Sequence, residues 1–313
     1  MYYAPVLIPT LNRYDHFVRL VESLQKNEYA KFTELYVGLD YPPSEKYNAG
    51  YSKIADYLNV GISGFKEVNI IKYKENIGAA SNINSLLTVS RKKYDRFILL
   101  EDDNFVSPNF LEYMDKSLEL MGGDNDISAV CGYSYPVNWY SNSSNIIKEQ
   151  SFFSGWGFGT YFTKIDEIRE TFRRYSKDKV YISKLKDLRK KSKKNYAYFL
   201  GMAYHDRFVE NDIGISCYQS LENKYCLMPI ISKVRNEGYD GSGINCPDAS
   251  EWPYQNQSID NNLRFCFSNE LRSSKQIEHY LKNERIINNY YPVSFKDYLK
   301  AVLKEIMIRI KRK

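Results

Sequence analysis

A chain of 313 residues, of which 43% are hydrophobic and 26% charged, can bury a core without the disulfides or metal ions that small folds need. Its formal net charge of +6 is mild for that length, which suits a protein that binds phosphates or anionic headgroups and argues against nucleic acid as a partner. The odd number of cysteines, 5, and the lack of a signal-like or membrane-spanning stretch favour a cytoplasmic protein.

The first part of the chain alternates short apolar runs with longer amphipathic runs. Strands are predicted at residues 4–8, 35–39, 68–71, 97–100 and 127–131. Helices are predicted to begin near Asp15, near Ala79 and at Ser107-Pro108, where serine can cap the first turn and proline suits it. This order predicts an α/β fold with a mostly parallel, Rossmann-like sheet flanked by helices.

The pattern weakens after residue 131. Residues 133–145 are predicted to form a loop over the site, and residues 238–257 an irregular lid or acceptor loop. The basic, helix-prone region 164–194 is either a solvated helix face or a contact for phosphates or anionic lipids. We therefore expect one domain over residues 1–260, with a nucleotide-binding half 1–131 and an acceptor-side half 132–260, and a helical extension over residues 261–313.

The end of the chain predicts a basic amphipathic helix. The apolar residues that recur with helical spacing are Phe295, Tyr298, Leu299, Val302, Leu303, Ile306 and Ile310, and Lys and Arg fill most of the positions between them. Such a helix either lies on an anionic membrane surface or packs its apolar face on the body of the protein. The first alternative would place the protein on the inner face of the cell membrane and would suit a lipid-linked acceptor.

Polar residues follow four of the predicted strands. They are Thr10, Asn12 and Arg13 after the first strand, Asp40 after the second, Lys74, Glu75, Asn76 and Gly78 after the third, and Glu101 to Asn104 after the fourth. Ligands of open parallel sheets bind beyond the carboxyl ends of the strands, so we expect these residues to share one crevice.

Glu101, Asp102 and Asp103 are the most specific of these residues. Three adjacent carboxylates after an apolar strand repel one another unless a cation or hydrogen-bond donors compensate, and Mn²⁺ or Mg²⁺ would do so. In an extended segment Glu101 and Asp103 would point to one side and Asp102 to the other. The alternative is an acidic cap ahead of the next helix.

Asp40 and Arg13 each have a functional and a structural interpretation. Asp40 is placed to accept a hydrogen bond from a base N–H or a ribose hydroxyl, or else it forms a turn before two prolines. Arg13 offers a fork for phosphate oxygens, or else it is a solvated residue at the entrance to the first helix. The sequence alone leaves both pairs of interpretations open.

Three segments carry a resemblance to a known family. The run EDDNFVSPNFLEYM at residues 101–114 resembles the corresponding run of the Golgi N-acetylglucosaminyltransferases that initiate complex N-glycans. Residues 76–82 and 153–157 resemble the Asn-x-Gly pattern and the aromatic-glycine segment of family-2-like glycosyltransferases, which have the GT-A fold. The likeness extends in order over about residues 4–245 and includes bacterial capsule and O-antigen enzymes.

The resemblance implies roles for individual residues. It makes Asp103 the metal ligand, brings Asp102 near ribose and Glu101 near the donor sugar, and lets Asp40 meet uracil or ribose. The donor is also expected near Thr10, Asn12 and Arg13, which follow the first strand, and the resemblance adds Asn76, Gly78 and Trp156. The acceptor hydroxyl would be deprotonated by Asp212, with Glu210 in reserve, because inverting transfer needs one carboxylate at the attacking oxygen.

These observations predict an inverting, metal-assisted glycosyltransferase. It would move a sugar from a nucleotide-diphosphate donor, with uridine diphosphate as the expected carrier, to a saccharide or lipid-linked saccharide of a bacterial surface polysaccharide. A sugar nucleotidyltransferase is one alternative, although residues 9–13 lack its glycine-rich signature. A noncatalytic glycan-binding module is the other, although it would need neither the acidic triplet nor Asp212.

Overall fold

A computed structural model of the chain describes residues 3–135, 145–150, 152–243, 257–267 and 293–311. The elements are, in chain order, β1 (Val6–Thr10), α1 (Tyr14–Gln25), β2 (Glu34–Leu39), α2 (Asn48–Val60), β3 (Glu67–Lys72), α3 (Ala79–Ser90), β4 (Arg96–Leu99), β5 (Asn104–Val106), α4 (Phe110–Gly122), β6 (Ile127–Cys131), β7 (Ile146–Glu149), β8 (Phe158–Tyr161), α5 (Phe162–Asp178), α6 (Leu185–Lys191), α7 (Lys193–Tyr204), α8 (Asp212–Glu222), β9 (Tyr225–Pro229), β10 (Val234–Asn236) and α9 (Phe295–Lys311).

Eight of the strands form one sheet in the order β3-β2-β1-β4-β8-β6-β9-β7. The first four in that order are mutually parallel, and β6 is parallel to β9. Strand β8 runs antiparallel to both of its neighbours, and β7 runs antiparallel to β9 at the edge. Because helices join the parallel strands, the sheet is the mostly parallel, Rossmann-like sheet that the sequence predicts.

Alternating side chains of the sheet divide the apolar interior into two cores. On β1, Val6 and Ile8 join a core with α1, α2 and α4, whereas Leu7 faces a second core. On β4, Ile98 joins the first core and Phe97 the second, which also holds α3 and α5 to α9. The sheet is therefore covered on both faces, as expected of parallel strands that are apolar along their length.

The five predicted strands correspond to β1, β2, β3, β4 and β6, but the predicted start of the fourth helix is wrong. Helix α4 begins at Phe110 instead of Ser107-Pro108. Ser107 donates its hydroxyl hydrogen to Asn109 Oδ1 over 2.9 Å, and Asn109 donates to Asp260 Oδ2 over 3.0 Å. These two hydrogen bonds connect the residues before α4 to Asp260 and hold residues 107–109 outside the helix.

Two further features lie outside the main sheet. Strands β5 and β10 form an antiparallel ribbon that joins residues 104–106 to residues 234–236. The basic region 164–194 folds into most of α5, all of α6 and the first two residues of α7, and α9 packs on α7. The predicted loop and lid lie mostly outside the described residues, which exclude 136–144 and 244–256, and of the predicted extension only residues 261–267 and α9 are described. None of the helices within the described ranges has both the length and the apolar composition of a membrane span.

Candidate active site

The acidic residues after β4 form a turn. The backbone N–H of Asn104 donates to the carbonyl oxygen of Glu101 over 3.1 Å, and the N–H of Glu101 donates to Asn104 Oδ1 over 3.1 Å. The prediction of an extended segment with Asp102 and Asp103 on opposite sides is therefore wrong. Because the chain turns here, both of these carboxylates face the same neighbour, the guanidinium of Arg13.

Arg13 lies just before α1, and its side chain joins the two carboxylates. Its Nη2 lies 2.5 Å from Asp102 Oδ1 and 2.7 Å from Asp103 Oδ2, and its Nε donates to Asp102 Oδ1 over 3.1 Å. Thr10 donates its hydroxyl hydrogen to Asp102 Oδ2 over 2.9 Å. Burial alone would lower the pKa of Arg13, but the charges of Asp102 and Asp103 outweigh it and raise that pKa. Arg13 thus supplies much of the positive charge that the acidic triplet needs.

Asp103 is almost completely buried, at 4% exposure, and its carboxylate is held by several donors. Its Oδ1 accepts hydrogen bonds from the side-chain amides of Asn104 (3.2 Å) and Asn236 (3.1 Å). Its carbonyl oxygen accepts the N–H of Glu237 over 2.8 Å, and a Cβ on Gly238 would lie 2.1 Å from its Oδ2. Burial raises the pKa of Asp103, and Arg13 opposes that rise.

Asn236 and Gly238 are site residues that the sequence analysis did not single out. Asn236 ends β10, and its side-chain oxygen also accepts the N–H of Gly238 over 2.8 Å, which shapes the chain next to Asp103. No local pattern marks these residues, because they reach the acidic turn only through the pairing of β10 with β5. Gly238 opens the segment 238–257, for which the sequence predicts an irregular lid or acceptor loop.

The Glu101 side chain is exposed to solvent, although other protein groups surround its carboxyl group. Desolvation by these groups, followed by the charges of Asp103, Asp212 and Asp102, raises the pKa of Glu101 to about 8. A side chain that water reaches and that is nevertheless crowded by carboxylates lies in a crevice. The charge of Asp212 is one cause of that rise, so the candidate base lies near the acidic turn.

Asp212 is the first residue of α8, and it is held by the glycine-rich segment 153–157. The N–H of Gly155 donates to Asp212 Oδ2 over 2.9 Å, and a Cβ on Gly155 would lie 2.4 Å from Asp212 Oδ1. Desolvation raises the pKa of Asp212, while the Gly155 N–H and the charge of Lys194 act in the opposite direction. The Gly155 N–H therefore fixes the position of the Asp212 carboxylate. The residue is also exposed to solvent.

The same glycine-rich segment lies beside the end of β4. Gly157 has a φ of +61°, a left-handed conformation that favours glycine, and a Cβ there would lie 3.0 Å from Leu100 Cδ2. Between Gly155 and Gly157, the Trp156 ring meets Tyr133 and Tyr239 edge to face, with ring centroids 4.9 and 6.1 Å apart. The segment thus connects Asp212 to Leu100, the residue that precedes Glu101.

Glu210 is engaged elsewhere. Its Oε2 accepts a hydrogen bond from Arg169 Nε on α5 over 2.7 Å, and the same guanidinium donates to Asn84 on α3 over 3.0 Å. The ion pair with Arg169 therefore holds the Glu210 carboxylate against α5. Of the two carboxylates that the sequence proposes as base, Asp212 contacts the segment that reaches Leu100, whereas Glu210 contacts Arg169.

Asp40 organises the loop before α3. Its Oδ1 accepts the N–H groups of Tyr41 (2.8 Å) and Ile77 (2.9 Å), and its Oδ2 accepts the N–H of Gly78 (2.9 Å) and the side-chain amide of Asn76 (3.1 Å). A carboxylate has about four lone-pair sites, so these four donors use its capacity. The structure thus brings together Asp40, Asn76 and Gly78, and Gly78 has a φ of +78° before α3.

Asn12 lies at the start of α1, close to α2. Its carbonyl oxygen accepts the N–H of Tyr14 over 3.1 Å, and a Cβ on Gly50 would lie 1.9 Å from that oxygen. The backbone of Asn12 therefore packs directly against α2. Its half-buried side chain is one residue from Arg13 and two from Thr10, the residue that bonds to Asp102.

The donor set for a divalent cation at the acidic turn is incomplete. Within the described residues, no three His, Cys, Asp or Glu side chains gather closely enough to hold a metal ion. Asp103 Oδ2 has one donor, Arg13, and Glu101 carries a carboxyl whose raised pKa a nearby cation would lower. These oxygens fit a hard cation that takes its remaining ligands from phosphate groups and water, as Mg²⁺ commonly does.

Comparisons with solved structures give distant matches. Residues 1–349 of TarS from S. aureus match with a TM-score of 0.42 and 10% identity over 98% of this chain and 80% of that one. The mannosyltransferase PcManGT from Pyrobaculum calidifontis, in complex with GDP-Man and Mn²⁺, matches with a TM-score of 0.37 and 14% identity over 54% of this chain and 46% of that one. Apo GlyE from Streptococcus pneumoniae matches with a TM-score of 0.34 and 16% identity over 72% and 44%.

The chain spans less than half of the length of the last two of these structures, and 36% of the longer TarS structure. No curated protein sequence matches it. The sequence model described as glycosyl transferase family 2 matches residues 6–196, which include every strand from β1 to β8 and the acidic turn. Because that match covers more than half of the chain, the protein belongs to glycosyl transferase family 2 and has the GT-A fold.

Proposed function

We propose that this enzyme moves a sugar from a nucleotide-diphosphate donor to an acceptor hydroxyl with inversion at the transferred carbon, and that Asp212 is the base. The observation that carries the proposal is the link from Asp212 through Gly155 and Gly157 to Leu100 and the acidic turn. Inversion by direct displacement needs a proton acceptor on the face of the sugar opposite the leaving group. Asp212 and the acidic turn are candidates for those two positions.

In this mechanism, protein residues assist both the formation of the new bond and the departure of the diphosphate. The acceptor oxygen forms a bond to the anomeric carbon while the bond from that carbon to the diphosphate oxygen breaks, and the hydroxyl proton passes to Asp212. The Gly155 N–H holds Asp212 Oδ2 and favours its charged form, which leaves Oδ1 for the acceptor hydroxyl. Lys194 favours the same charged form.

The donor end of the proposal rests on the acidic turn. Asp103, with Glu101 beside it, would hold Mn²⁺ or Mg²⁺, and Asp102 would lie near ribose. When bound, the cation supplies positive charge to the leaving diphosphate. Arg13 is placed to exchange part of its contact with Asp103 for phosphate oxygens, because its guanidinium already lies between the two carboxylates.

The remaining donor contacts are proposed around the nucleoside. Asp40 would act there mainly through the loop that it holds, because its oxygens already accept four hydrogen bonds. Uridine is proposed as the base from the family resemblance. Trp156, in its cluster with Tyr133 and Tyr239, offers an aromatic surface on which a sugar ring can stack.

The acceptor is proposed to be a saccharide or lipid-linked saccharide in bacterial surface polysaccharide synthesis, as the resemblance to capsule and O-antigen enzymes implies. Membership of glycosyl transferase family 2 supports transfer of a sugar. It does not support the two alternatives weighed from the sequence, a sugar nucleotidyltransferase and a noncatalytic glycan-binding module.

The test is a comparison of Asp212→Asn with Glu210→Gln. A panel of nucleotide sugars with Mn²⁺ first identifies the donor by thermal stabilisation of the wild-type enzyme, and EDTA should reduce that stabilisation. We expect Asp212→Asn to keep donor stabilisation and to lose transfer about a thousandfold, because the amide cannot accept the proton. Glu210→Gln, whose carboxylate is paired with Arg169, should transfer within about threefold of wild type. Wild-type transfer by Asp212→Asn would refute the assignment.

A further inference from the structure

The last helix, α9, presents two apolar faces. Residues follow one another at about 100° around a helix, so its side chains can be assigned to sectors. One sector, of roughly 120°, contains Tyr298, Ala301, Val302, Glu305 and Ile308, and the next, of roughly 80°, contains Phe295, Leu299, Leu303, Ile306 and Ile310. The single apolar face that the sequence predicts for this helix thus consists of residues from both sectors.

The first sector docks α9 on the body of the protein. Ala301 and Ile308 are buried in the second core. Tyr196 on α7 donates its hydroxyl hydrogen to Glu305 Oε2 over 2.5 Å, and the rings of Tyr196 and Tyr298 lie 6.0 Å apart. This sector therefore accounts for the attachment of the helix without any use of the second apolar sector.

The second sector is open to solvent. Its five side chains are exposed by 46% to 76%, with Phe295 the most exposed of them. Isolated exposed apolar residues are ordinary on soluble proteins, but five of them aligned along one helix form a continuous stripe. We call this set, Phe295, Leu299, Leu303, Ile306 and Ile310, the outer stripe.

Lysines lie along one side of the outer stripe. Lys296, Lys300, Lys304 and Lys311 occupy the next sector, of roughly 80°, so the outer stripe lies between them and the first sector. Lys296, Lys300 and Lys311 are exposed, and Lys304 and Lys311 lie over the ring of Tyr204 on α7, at 5.7 and 5.4 Å. The helix carries only two acidic residues, Asp297 and Glu305, and Glu305 faces α7.

We propose that the outer stripe inserts into the surface of an anionic lipid membrane, while the first sector attaches α9 to the rest of the enzyme. An apolar stripe bordered by lysines matches the acyl boundary and the charged headgroups of such a surface, and an uncharged protein partner would not use the lysines. For a helix with a single apolar face, membrane attachment and docking on the body are alternatives. Helix α9 can do both, because each interaction has its own sector.

The position of α9 relates this surface to the candidate base. Helix α9 packs on α7, and α7 packs on α8, where Asn195 donates to Ser216 O over 3.2 Å and to Ser220 Oγ over 2.9 Å. Asp212 begins α8. The membrane-facing helix is thus two helices away from the proposed base, on the acceptor side of the sheet, which suits an acceptor carried by the membrane.

The test is vesicle flotation of the full chain. The wild-type protein should float with vesicles of phosphatidylcholine and phosphatidylglycerol and stay behind with vesicles of phosphatidylcholine alone. The combined variant Leu299→Gln, Leu303→Gln and Ile306→Gln should lower the bound fraction at least about tenfold, because it removes apolar surface from the stripe. Lys296→Gln and Lys300→Gln should weaken binding to the anionic vesicles by about fivefold for each lysine.

The matched control replaces three exposed aliphatic residues outside α9, Val60, Leu120 and Ile231, with Gln, and it should float like wild type. Circular dichroism and thermal unfolding confirm that each variant is folded. Failure of the wild-type protein to float, or equal flotation of the outer-stripe variant, would overturn the proposal. A wild-type dimer in light scattering that the outer-stripe variant abolishes, without vesicle binding, would assign the stripe to a second copy instead. Because none of these measurements uses sugar transfer, their outcome is separate from that of the Asp212 test.

Discussion

The guanidinium of Arg13 lies between two carboxylates that are both almost completely buried. Asp102 has one further side-chain donor, the hydroxyl of Thr10, and Asp103 has the amides of Asn104 and Asn236. These neutral donors satisfy oxygen atoms but do not cancel charge. Removal of Arg13 would leave two buried negative charges beside each other, which is far more costly than the loss of an exposed ion pair.

We therefore expect Arg13→Ala to lower the free energy of unfolding by about 3–5 kcal/mol in metal-free buffer. Arg19→Ala is the matched control, because Arg19 also pairs with a carboxylate, that of Glu237, but is 52% exposed, and it should cost less than about 1 kcal/mol. Urea unfolding at neutral pH measures both. Equal urea midpoints for Arg13→Ala and the wild-type protein would show that the two carboxylates do not depend on this cation.

Sequence reasoning could bring Arg13 and the acidic triplet into one crevice, because both follow strands of the same parallel sheet. It could not predict that Arg13 binds the carboxylates, since that contact depends on the turn at Glu101 and on side-chain geometry. Asn236 was missed for a different reason. It reaches Asp103 from 133 residues away, and no spacing within the sequence marks such a contact.

Among the larger elements, the glycine-rich segment 153–157 has the most direct bearing on chemistry. It lies between Asp212 and Leu100, and both of its glycines are in places where a Cβ would meet another side chain at 3.0 Å or less. Gly155 leaves room for the Asp212 carboxylate, and Gly157 leaves room for Leu100 and Val234. The segment therefore sets the position of the proposed base relative to the acidic turn.

Gly155→Ala tests this positioning role. The added methyl group would lie 2.4 Å from Asp212 Oδ1, so the carboxylate must move, and a displacement of about 1 Å at a reacting group can cost about a hundredfold in kcat. We expect kcat to fall to that extent while the donor KM stays near that of wild type. Gly123→Ala, where the nearest atom would be 3.8 Å away, should leave both constants unchanged. An unaltered kcat in Gly155→Ala would contradict the positioning role.

The strands differ in how well the sequence predicts them. The apolar runs of β1, β2, β4 and β6 have buried residues on both faces of the sheet, so each is a strong local signal. Strands β5, β7, β8 and β10 have only three or four residues, and each exists because of an antiparallel partner elsewhere in the chain. The predicted start of α4 is too early for a related reason, because Asn109 is held by Asp260, a residue distant in the chain.

For the molecule as a whole, one buried acid connects the beginning of the chain to α4. Asp115 is 2% exposed, its Oδ1 accepts the N–H of Ala4 over 2.9 Å, and its Oδ2 has no hydrogen-bond partner among the described residues. Burial raises the pKa of Asp115 from 3.8 to about 7. The folded protein therefore keeps this proton through a pH range in which the unfolded chain has released it.

This linkage has a definite sign. Between pH 3.8 and about 7 the unfolded state binds fewer protons at Asp115 than the folded state, so stability falls as pH rises through that window, by at most about 1.4 kcal/mol per pH unit. Asp115→Asn removes the effect. We expect its free energy of unfolding, relative to wild type, to rise by roughly 2–3 kcal/mol from pH 5 to pH 8.

Urea unfolding at the two pH values measures this difference. Asp126→Asn, at a side chain that is 68% exposed, is the control and should follow the pH dependence of the wild-type protein, because water solvates that carboxylate in both states. A constant difference between Asp115→Asn and wild type at both pH values would show that Asp115 titrates alike in the folded and unfolded chains.

The ribbon of β5 and β10 also constrains the order in which the enzyme is completed on the ribosome. Asp103 is made early, but Asn236, the Glu237 N–H and the close approach of Gly238 come from residues that emerge much later. A nascent chain can pair β1, β2 and β4 while its acidic turn still lacks those partners. A contact cannot form before its later residue is made, so β1, β2 and β4 can pair during biosynthesis before the site is complete.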